Sequence, residues 1–258
     1  MTQAVPEDRS ASTGATSARG TWAWRAKSLY AAVARAAGKA LVATRILPAT
    51  VPPRERRIKH WLASLSRVHN SLGIAELDVP WWTYKAIDEV DAWLQARPRP
   101  IRVFEYGSGA STFWLAKRVD EVCSVEHHQG FAAMMRPELA KLGNVTFLEV
   151  PAPRSSSPRV GSAKPGSTDL DFHDYVHAID GVEGMFDIVV IDGRAREECL
   201  RVARTRVAPD GIIVFDNSHR ARYRTAIAES GLPERAFGGL TPTLPYPDRT
   251  SVITLHQA

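Results

Sequence analysis

The chain has 258 residues, enough for one large domain with an appendage or for two small domains. Hydrophobic residues make up 44% and charged residues 24% of the sequence, which excludes collagen-like, disulfide-scaffold and wholly disordered proteins. The two cysteines, Cys123 and Cys199, have no CxxC or Cys/His spacing, so they indicate neither a zinc site nor a disulfide framework, and a reducing cytoplasm is the expected location.

The net charge of +5 is unevenly distributed along the chain. Residues 1–60 carry 11 basic and 3 acidic side chains, which leaves 22 basic and 25 acidic side chains for the remainder. Because the body is slightly acidic and only the N-terminal arm is basic, the overall charge does not indicate specific nucleic-acid binding.

The N-terminal residues divide into a polar tail and a helical extension. Residues 1–20 contain no apolar stretch of signal-peptide length and are predicted to form a disordered tail. From Trp22 to Leu47, apolar residues recur on one helical face among basic side chains, and charges are too frequent for a membrane span. Such a helix either makes a peripheral contact with an anionic membrane or docks on its own domain or on a second copy. We expect residues 21–78 to form a helical extension.

The hydrophobic period changes near residue 100. Helical spacing covers Glu55–Asn70 and the segment WWTYKAIDEVDAWLQAR that follows Pro80. Five short β-branched and aliphatic runs come next, at residues 101–106, 121–127, 144–150, 186–192 and 211–217. RAFGGL and SVITLH predict two final strands that pair as a hairpin. Residues 79–258 are thus predicted to have an α/β fold, a Rossmann-like, doubly wound, mainly parallel seven-stranded sheet.

One connection between the predicted strands is long and irregular. Residues 151–168, PAPRSSSPRVGSAKPGST, have no apolar periodicity and are predicted to form a mobile surface loop, which serves as a lid, as a binding loop or as a plain insertion. The segment DLDFHDYVHAI that follows is predicted to be helical.

A glycine-rich turn follows the first predicted strand. In VFEYGSGAST the strand runs into Gly107 and Gly109, and a helix over Phe113–Val119 begins directly afterwards. Glycines let the backbone turn sharply and approach a ligand closely. Glu126, at the end of the second strand, can accept hydrogen bonds from ribose hydroxyls. Strand, GxG, helix, strand and terminal acid in this order predict a nucleoside-binding crevice.

Two classes of nucleoside cofactor share this arrangement. Dinucleotide-binding dehydrogenases need a third glycine for close packing of helix against strand, and Thr112 occupies that position here. This residue counts against NAD. Glu105, two residues before Gly107, completes instead an E/DxGxG motif.

Residues 79–256 resemble class I S-adenosylmethionine-dependent methyltransferases. The similarity is carried, in chain order, by PWWTYKAIDEV, FEYGSGAST, SVEHHQGF, FDIVVIDGRAREECLRVA and PDGIIVFDNS. It implies that the glycine turn and the start of the next helix cradle the methionine end of the cofactor, and that Glu126 binds its ribose. The cofactor-binding residues that the resemblance implies are Glu105, Gly107, Ser108, Gly109, Ser111, Thr112, Glu126, His127 and Asp192.

Acidic residues end the fourth and fifth predicted strands. Asp192 ends VVID, and Asp216 and Asn217 end VFDN. In a parallel sheet these ends face the ligand crevice, and their hard oxygen atoms suit Mg²⁺. The resemblance extends in part to cation-dependent O-methyltransferases, which place metal ligands at these strand ends, and Arg194 is nearest to the basic residue that accompanies them. All three residues are therefore candidate magnesium ligands, and the alternative for Asp216 and Asn217 is to turn the chain.

Five histidines are candidate proton acceptors, His127, His128, His173, His177 and His219. His219 is favoured because it lies two residues beyond Asn217, and His173 is second because it follows the irregular loop. In the absence of a metal, either Asp192 or His219 is expected to act as the catalytic base. The arginines of residues 220–224 form either a solvated helix face or a contact for an acidic or sugar substrate.

The expected activity is S-adenosylmethionine-dependent methylation, with an oxygen of a small-molecule or saccharide-type acceptor as the methylated atom. Oxygen is preferred to nitrogen and carbon on the resemblance at Asp192 and Asp216–Asn217 alone. An NAD-dependent oxidoreductase is one alternative. A non-catalytic scaffold, recruited to a membrane or a partner by its N-terminal helix, is the other.

Overall fold

The computed structural model describes residues 50–65 and 71–256. The predicted tail 1–20 and the predicted helix Trp22–Leu47 lie outside these residues, as does the second part of the helix predicted for Glu55–Asn70. None of the helices in the described ranges is long and apolar enough to cross a membrane.

One sheet of seven strands organises the described chain, in the order β3-β2-β1-β4-β5-β7-β6. Strands β1 to β5 are parallel, whereas β7 runs antiparallel to both β5 and β6. The strands are β1 Arg102–Tyr106, β2 Glu121–Glu126, β3 Val145–Glu149, β4 Phe186–Ile191, β5 Val207–Phe215, β6 Glu234–Gly239 and β7 Asp248–Thr254. This arrangement confirms the predicted α/β fold, a mainly parallel Rossmann-like sheet with a final hairpin.

Helices cover both faces of the sheet. They are α1 Arg57–Leu65, α2 Ser71–Ala75, α3 Tyr84–Ala96, α4 Ala110–Ala116, α5 Gln129–Leu139, α6 His173–Val176, α7 Arg196–Ala203 and α8 Ala221–Ser230, and a 3₁₀ helix, His177–Gly181, continues from α6. The sequence did not predict α2, and α4 begins three residues before the predicted start at Phe113. The helix predicted in DLDFHDYVHAI begins only at His173.

Successive residues of the central strands point into two separate cores, because side chains alternate across a sheet. Along β1, Val103 packs with α3 and α4, whereas Phe104 packs with α6, α7 and α8. Both side chains are fully buried. The strands therefore read as continuous apolar runs, as expected for a parallel sheet that is covered on both faces.

The bounds of β1 to β4 agree with the predictions to within one residue, but β5 begins at Val207 and not at residue 211. Val207 pairs with Phe186, and the register then shifts before Ile188 pairs with Ile212. The irregular stretch contains Pro209, which cannot donate a backbone hydrogen bond to a neighbouring strand. A strand that continues through a proline and a register shift leaves no regular apolar pattern.

The helical extension is attached to the loop between β6 and β7. Thr243 donates its backbone N–H to Ser64 Oγ at 2.9 Å, and Trp61 Nε1 donates to the carbonyl of Leu244 at 2.8 Å. Trp81 Nε1 donates to Thr243 Oγ1 at 2.7 Å. Because β7 starts where β5 ends, this loop lies at the carboxyl edge of the parallel strands. The extension is thereby held beside the edge where ligands bind in such sheets.

Candidate functional site

A cavity of about 420 Å³ opens at the carboxyl ends of β1, β2 and β4, and we call it the carboxyl-edge cavity. Its walls come from the glycine turn, the ends of β2 and β4, the start of α5 and the helical extension. The lining residues are Ser71, Trp81, Gly107, Ser108, Gly109, Ala110, Ser111, Glu126, His127, His128, Phe131, Asp192, Gly193 and Arg194. A cavity thus lies at the strand ends for which the motif predicts a nucleoside-binding crevice.

The two glycines of the turn have different roles. Gly107 has a φ of +94°, and a Cβ atom there would lie 2.7 Å from the Cα atom of Gly193. The fold therefore requires glycine at this position. Gly109 has an extended backbone with a φ of 175°, and an added Cβ would meet only Ser71 Oγ, at 3.7 Å. The space beside Gly109 belongs to the cavity and is open to a ligand.

Glu105 does not line the cavity, contrary to the predicted cofactor contact. It is fully buried, and its carboxylate accepts hydrogen bonds from the hydroxyls of Ser111, Thr112 and Ser124. Burial raises the pKa of Glu105 to about 7, and these hydrogen bonds oppose the rise. Thr112 Oγ1 also accepts the backbone N–H of Gly109 at 2.9 Å. Glu105 and Thr112 hold the turn and the start of α4 from beneath and do not reach a ligand.

Glu126 presents one free carboxylate oxygen to the cavity. Its side chain is almost completely buried, and Oε1 accepts the backbone N–H groups of His127 at 2.9 Å and His128 at 2.7 Å. Oε2 has no hydrogen-bond donor among the described residues. The carboxylate is therefore fixed in orientation, with one oxygen left to accept hydrogen bonds from a bound ligand.

Apolar and aromatic surface lies next to Glu126. The rings of His127 and Phe172 are 5.3 Å apart, so His127 is packed into the aromatic core on one side while it lines the cavity on the other. Phe131, in the first turn of α5, adds an apolar wall. His128 caps α5 by accepting the backbone N–H of Phe131 at 3.1 Å. Sequence analysis missed Phe131, because no local signal separates it from an ordinary helix residue.

Asp192 lines the cavity and is oriented by a buried arginine that the sequence analysis did not single out. Arg196 Nη2 donates to Asp192 Oδ1 at 2.7 Å and to the Asp192 carbonyl at 2.8 Å, while Nε donates to the Gly193 carbonyl at 3.0 Å. The side chain of Arg196 is only 4% exposed. Asp192 Oδ2 has no donor among the described residues and is left for the cavity.

Asp216 lies on the other side of Arg196. Its Oδ2 is 3.9 Å from Nη1 of Arg196, the same nitrogen donates to the Asp216 carbonyl, and Thr250 Oγ1 donates to Oδ1 at 2.8 Å. Burial and the charge of Asp192 raise the pKa of Asp216 well above its ordinary value, and burial raises the pKa of Asp192 against the effect of Arg196. The two carboxylates are thus bridged by one guanidinium.

The predicted magnesium ligands do not fit a metal ion. The guanidinium of Arg196 occupies the place between Asp192 and Asp216. The side-chain amide of Asn217 donates from Nδ2 to Asp248 Oδ2 at 2.9 Å, and its Oδ1 accepts a hydrogen bond from Arg220 at 3.0 Å. No cluster of acidic, histidine or cysteine side chains within residues 50–65 and 71–256 has the arrangement of a metal site. The guanidinium of Arg196 already supplies a positive charge between Asp192 and Asp216.

The structure does not bring His219 to the cavity wall. Its Nδ1 lies 2.7 Å from Asp248 Oδ1, and half of the side chain is exposed. His173 and His177 stack on each other at 4.6 Å and pair with Asp174 and Asp180, also away from the cavity. Of the two bases predicted for a metal-free site, Asp192 is therefore the one that a ligand in the cavity can reach.

No protein-family model and no curated protein matches this sequence. Solved structures with a similar fold include a methyltransferase-like protein from Silicibacter pomeroyi, with 24% identity and a TM-score of 0.42 over 64% of this chain and 85% of that one. A precorrin-6y C5,15-methyltransferase from Geobacter metallireducens has 15% identity and a TM-score of 0.43 over 69% and 91%. A ribosomal protein L11 methylase from Lactobacillus delbrueckii has 13% identity and a TM-score of 0.43 over 74% and 82%. At these values the likeness concerns the fold, and we base the function on this chain's own residues.

Proposed function

We propose that this protein is a class I S-adenosylmethionine-dependent methyltransferase that acts on a small-molecule acceptor. The observation that carries the proposal is Glu126, a buried carboxylate whose Oε2 is free inside the cavity. It lies one strand away from a glycine turn that leaves its ligand side open at Gly109. A carboxylate in this position suits the two hydroxyls of a ribose, and the open turn suits the rest of a nucleoside cofactor.

The sheet order argues against the dinucleotide alternative. Dinucleotide-binding folds have six parallel strands in the order 3-2-1-4-5-6, and their second nucleotide lies over the second half. In this protein the antiparallel strand β7 is inserted between β5 and β6. Thr112, which stands at the position of the third glycine, is buried and bound to Glu105. Both features favour a cofactor with a single nucleoside.

The unpaired polar atoms of the cavity favour an enzyme over a scaffold. Glu126 Oε2 and Asp192 Oδ2 both lack a donor among the described residues, and both belong to side chains that line one cavity. Neither oxygen is among the fully buried unpaired atoms of the described residues, so both are accessible from the cavity. A ligand that donates hydrogen bonds can therefore reach both of them.

The chemistry follows from the placement of these groups. Glu126 and the glycine turn would hold S-adenosylmethionine, whose sulfonium would supply an electrophilic methyl group to an acceptor oxygen, with S-adenosylhomocysteine as the leaving group. The protein positions the acceptor on the line of attack and removes its proton. Asp192 Oδ2 accepts this proton, and its raised pKa makes it a better base than an ordinary aspartate. Arg196 fixes the orientation of Asp192, and no metal step is needed.

The direct test is the affinity for S-adenosylhomocysteine in Glu126→Gln. A hydrogen bond to a charged group contributes about 1.5–3 kcal/mol, so we expect the variant to bind at least about tenfold more weakly in calorimetry. Glu149→Gln is the matched control, because Glu149 ends the neighbouring strand β3 and pairs with Arg136 outside the cavity. Its affinity should stay within about twofold of the wild type.

Two outcomes would contradict the proposal. One is wild-type protein that retains NAD and does not bind S-adenosylhomocysteine. The other is equal affinity in Glu126→Gln and wild type, which would place the nucleoside elsewhere.

A further inference from the structure

Arg194 is a cavity-lining arginine without a partner of opposite charge. It follows β4 and lines the cavity next to Asp192 and Gly193. Its one side-chain hydrogen bond runs from Nη1 to the Gly193 carbonyl at 3.3 Å. No carboxylate of the described residues lies within 4.0 Å of its guanidinium. Arg196, two residues later, is by contrast fully engaged with Asp192 and Asp216.

The position of Arg194 separates it from the ribose end of the cavity. Strand β1 lies between β2, which carries Glu126, and β4, which leads to Arg194. Two strand spacings amount to roughly 10 Å. The backbone of Arg194 is therefore next to Asp192, at the end of β4, while its side chain lines the same cavity as Glu126 and lies within range of that charge.

Arg194 lies within electrostatic range of both cavity carboxylates, Glu126 and Asp192, but forms a salt bridge with neither. Burial, together with the charge of Arg196, lowers the pKa of Arg194, so its positive charge is held at a cost. The proposed cofactor brings a second positive charge on its sulfonium. Arg194 is the only lysine or arginine among the described residues that line the cavity. Arg220 and Arg224, around the start of α8, also lack a carboxylate within 4.0 Å among the described residues.

We propose that Arg194 binds an anionic group of the methyl acceptor, a carboxylate or a phosphate. A guanidinium recognises both oxyanions through two parallel N–H donors. The inference rests on the proposed function and narrows it, because the acceptor becomes a small hydroxylated acid or a phosphate ester. Asp192 then lies close enough to take the proton of the acceptor hydroxyl while Arg194 holds the charged end.

The test measures anion binding directly with Arg194→Gln and Arg194→Lys. Inorganic phosphate and acetate are titrated into ¹⁵N-labelled protein in a chloride-poor buffer, with and without saturating S-adenosylhomocysteine, while amide and guanidinium signals are followed. We expect saturable binding by the wild type, a loss of at least tenfold in Arg194→Gln, and a smaller loss in Arg194→Lys. Arg201→Gln is the control, because Arg201 is exposed on α7, pairs with Glu198 and does not line the cavity.

The outcomes separate this inference from its premise. Wild-type protein that binds neither anion, or Arg194→Gln that binds them as the wild type does, overturns the inference. A tenfold loss of S-adenosylhomocysteine affinity in Arg194→Gln also overturns it, because Arg194 then binds the carboxylate of the cofactor's methionine. Failure of the wild type to bind S-adenosylhomocysteine refutes the proposed function instead, and the titration without it still decides whether Arg194 binds an anion.

Discussion

Gly107 and Gly109 lie two residues apart in one turn, but the fold requires only the first. At Gly107 the backbone is left-handed and the space for a side chain is filled by the backbone of Gly193. At Gly109 the backbone is extended, and an added methyl group would lie near Ser71 Oγ alone, at 3.7 Å. The sequence motif GxG thus combines a steric requirement of the turn with a separate requirement of the ligand.

Alanine should lower mainly the stability at Gly107 and mainly the ligand affinity at Gly109. We expect Gly107→Ala to lower the free energy of unfolding by about 3 kcal/mol, because a strained φ and a backbone clash coincide. Gly109→Ala should lower it by less than about 1 kcal/mol but weaken S-adenosylhomocysteine binding at least about tenfold, because its methyl group enters the ligand space. Denaturant unfolding and calorimetry measure the two effects. A folded Gly109→Ala protein with wild-type affinity would remove this turn from the binding site.

The positions of Glu126 and Asp192 at the cavity could be predicted from strand ends, whereas Asp216 and Asn217, which follow β5, do not line it. Glu126 and Asp192 were identified because the carboxyl ends of parallel strands meet at one edge. Arg196 was missed because it begins the polar segment REECLRVA. It stands four residues after Asp192, and an aspartate and an arginine at this spacing resemble an exposed helix pair. Only the packing of α7, which stacks Arg196 on Tyr223 at 5.5 Å, buries it. This buried guanidinium is also why the predicted metal site is not supported.

At the scale of elements, Asp171 ties the middle of the loop over residues 151–168 to the start of α6. Its Oδ1 accepts the backbone N–H groups of Val160 at 3.1 Å and His173 at 3.0 Å, and Oδ2 accepts from Arg159 at 3.1 Å. Burial alone would raise the pKa of Asp171, but these hydrogen bonds hold it well below its usual range. The loop is therefore tied to the segment before α6 at Arg159 and Val160.

Removing this carboxylate should release the loop without unfolding the sheet. In Asp171→Ala we expect hydrogen exchange of residues 154–160 to become about tenfold faster, because their opening no longer breaks the hydrogen bonds of Asp171 with Arg159 and Val160. Asp169→Ala is the control, since the Asp169 side chain pairs only with exposed Arg154 while its backbone carbonyl binds Ser155. Exchange measured by mass spectrometry decides the matter. Equal protection in both variants would show that the backbone contacts of the loop with residues 169–172 hold it without the Asp171 side chain.

Element bounds follow the sequence wherever the hydrogen-bond ladder is regular. Strands β1 to β4 have uninterrupted apolar runs and were predicted closely, whereas the register shift opposite Phe186 hid the first residues of β5. The short helix α2, with the sequence SLGIA, lacks the length that a periodic pattern needs. Its position is set by contacts with α4 and not by its own propensity.

At the scale of the whole molecule, the cavity is closed by segments far apart in the sequence. Ser71 and Trp81 form one wall, and Trp81 is hydrogen-bonded to Thr243 across the carboxyl edge. The sequence predicts the sheet and the position of the crevice, because strand order and strand ends suffice for both. It does not predict the hydrogen bond between Trp81 and Thr243, since a contact between residues so far apart has no local pattern.

A buried carboxyl group couples the stability of the whole fold to pH. Glu105 has no basic partner within residues 50–65 and 71–256, and burial raises its pKa from 4.5 to about 7 in the folded protein. Between these values the unfolded chain has lost the proton and the folded chain still holds it. The free energy of unfolding therefore falls as pH rises from 4.5 to about 7, by about 1.4 kcal/mol per unit, and levels off above that.

Glu105→Gln should remove this dependence, because glutamine does not titrate and keeps the shape of the side chain. We expect the free energy of unfolding of the wild type, measured relative to the variant, to fall by about 2–3 kcal/mol between pH 5 and pH 8. Urea unfolding of both proteins at four pH values in this range tests the expectation, and the raised pKa values of Asp192 and Asp216 cancel in the comparison because both proteins contain them. Parallel stability curves would show that Glu105 is ionised in the folded protein at pH 5, and that the hydroxyls of Ser111, Thr112 and Ser124 stabilise its charge more than burial destabilises it.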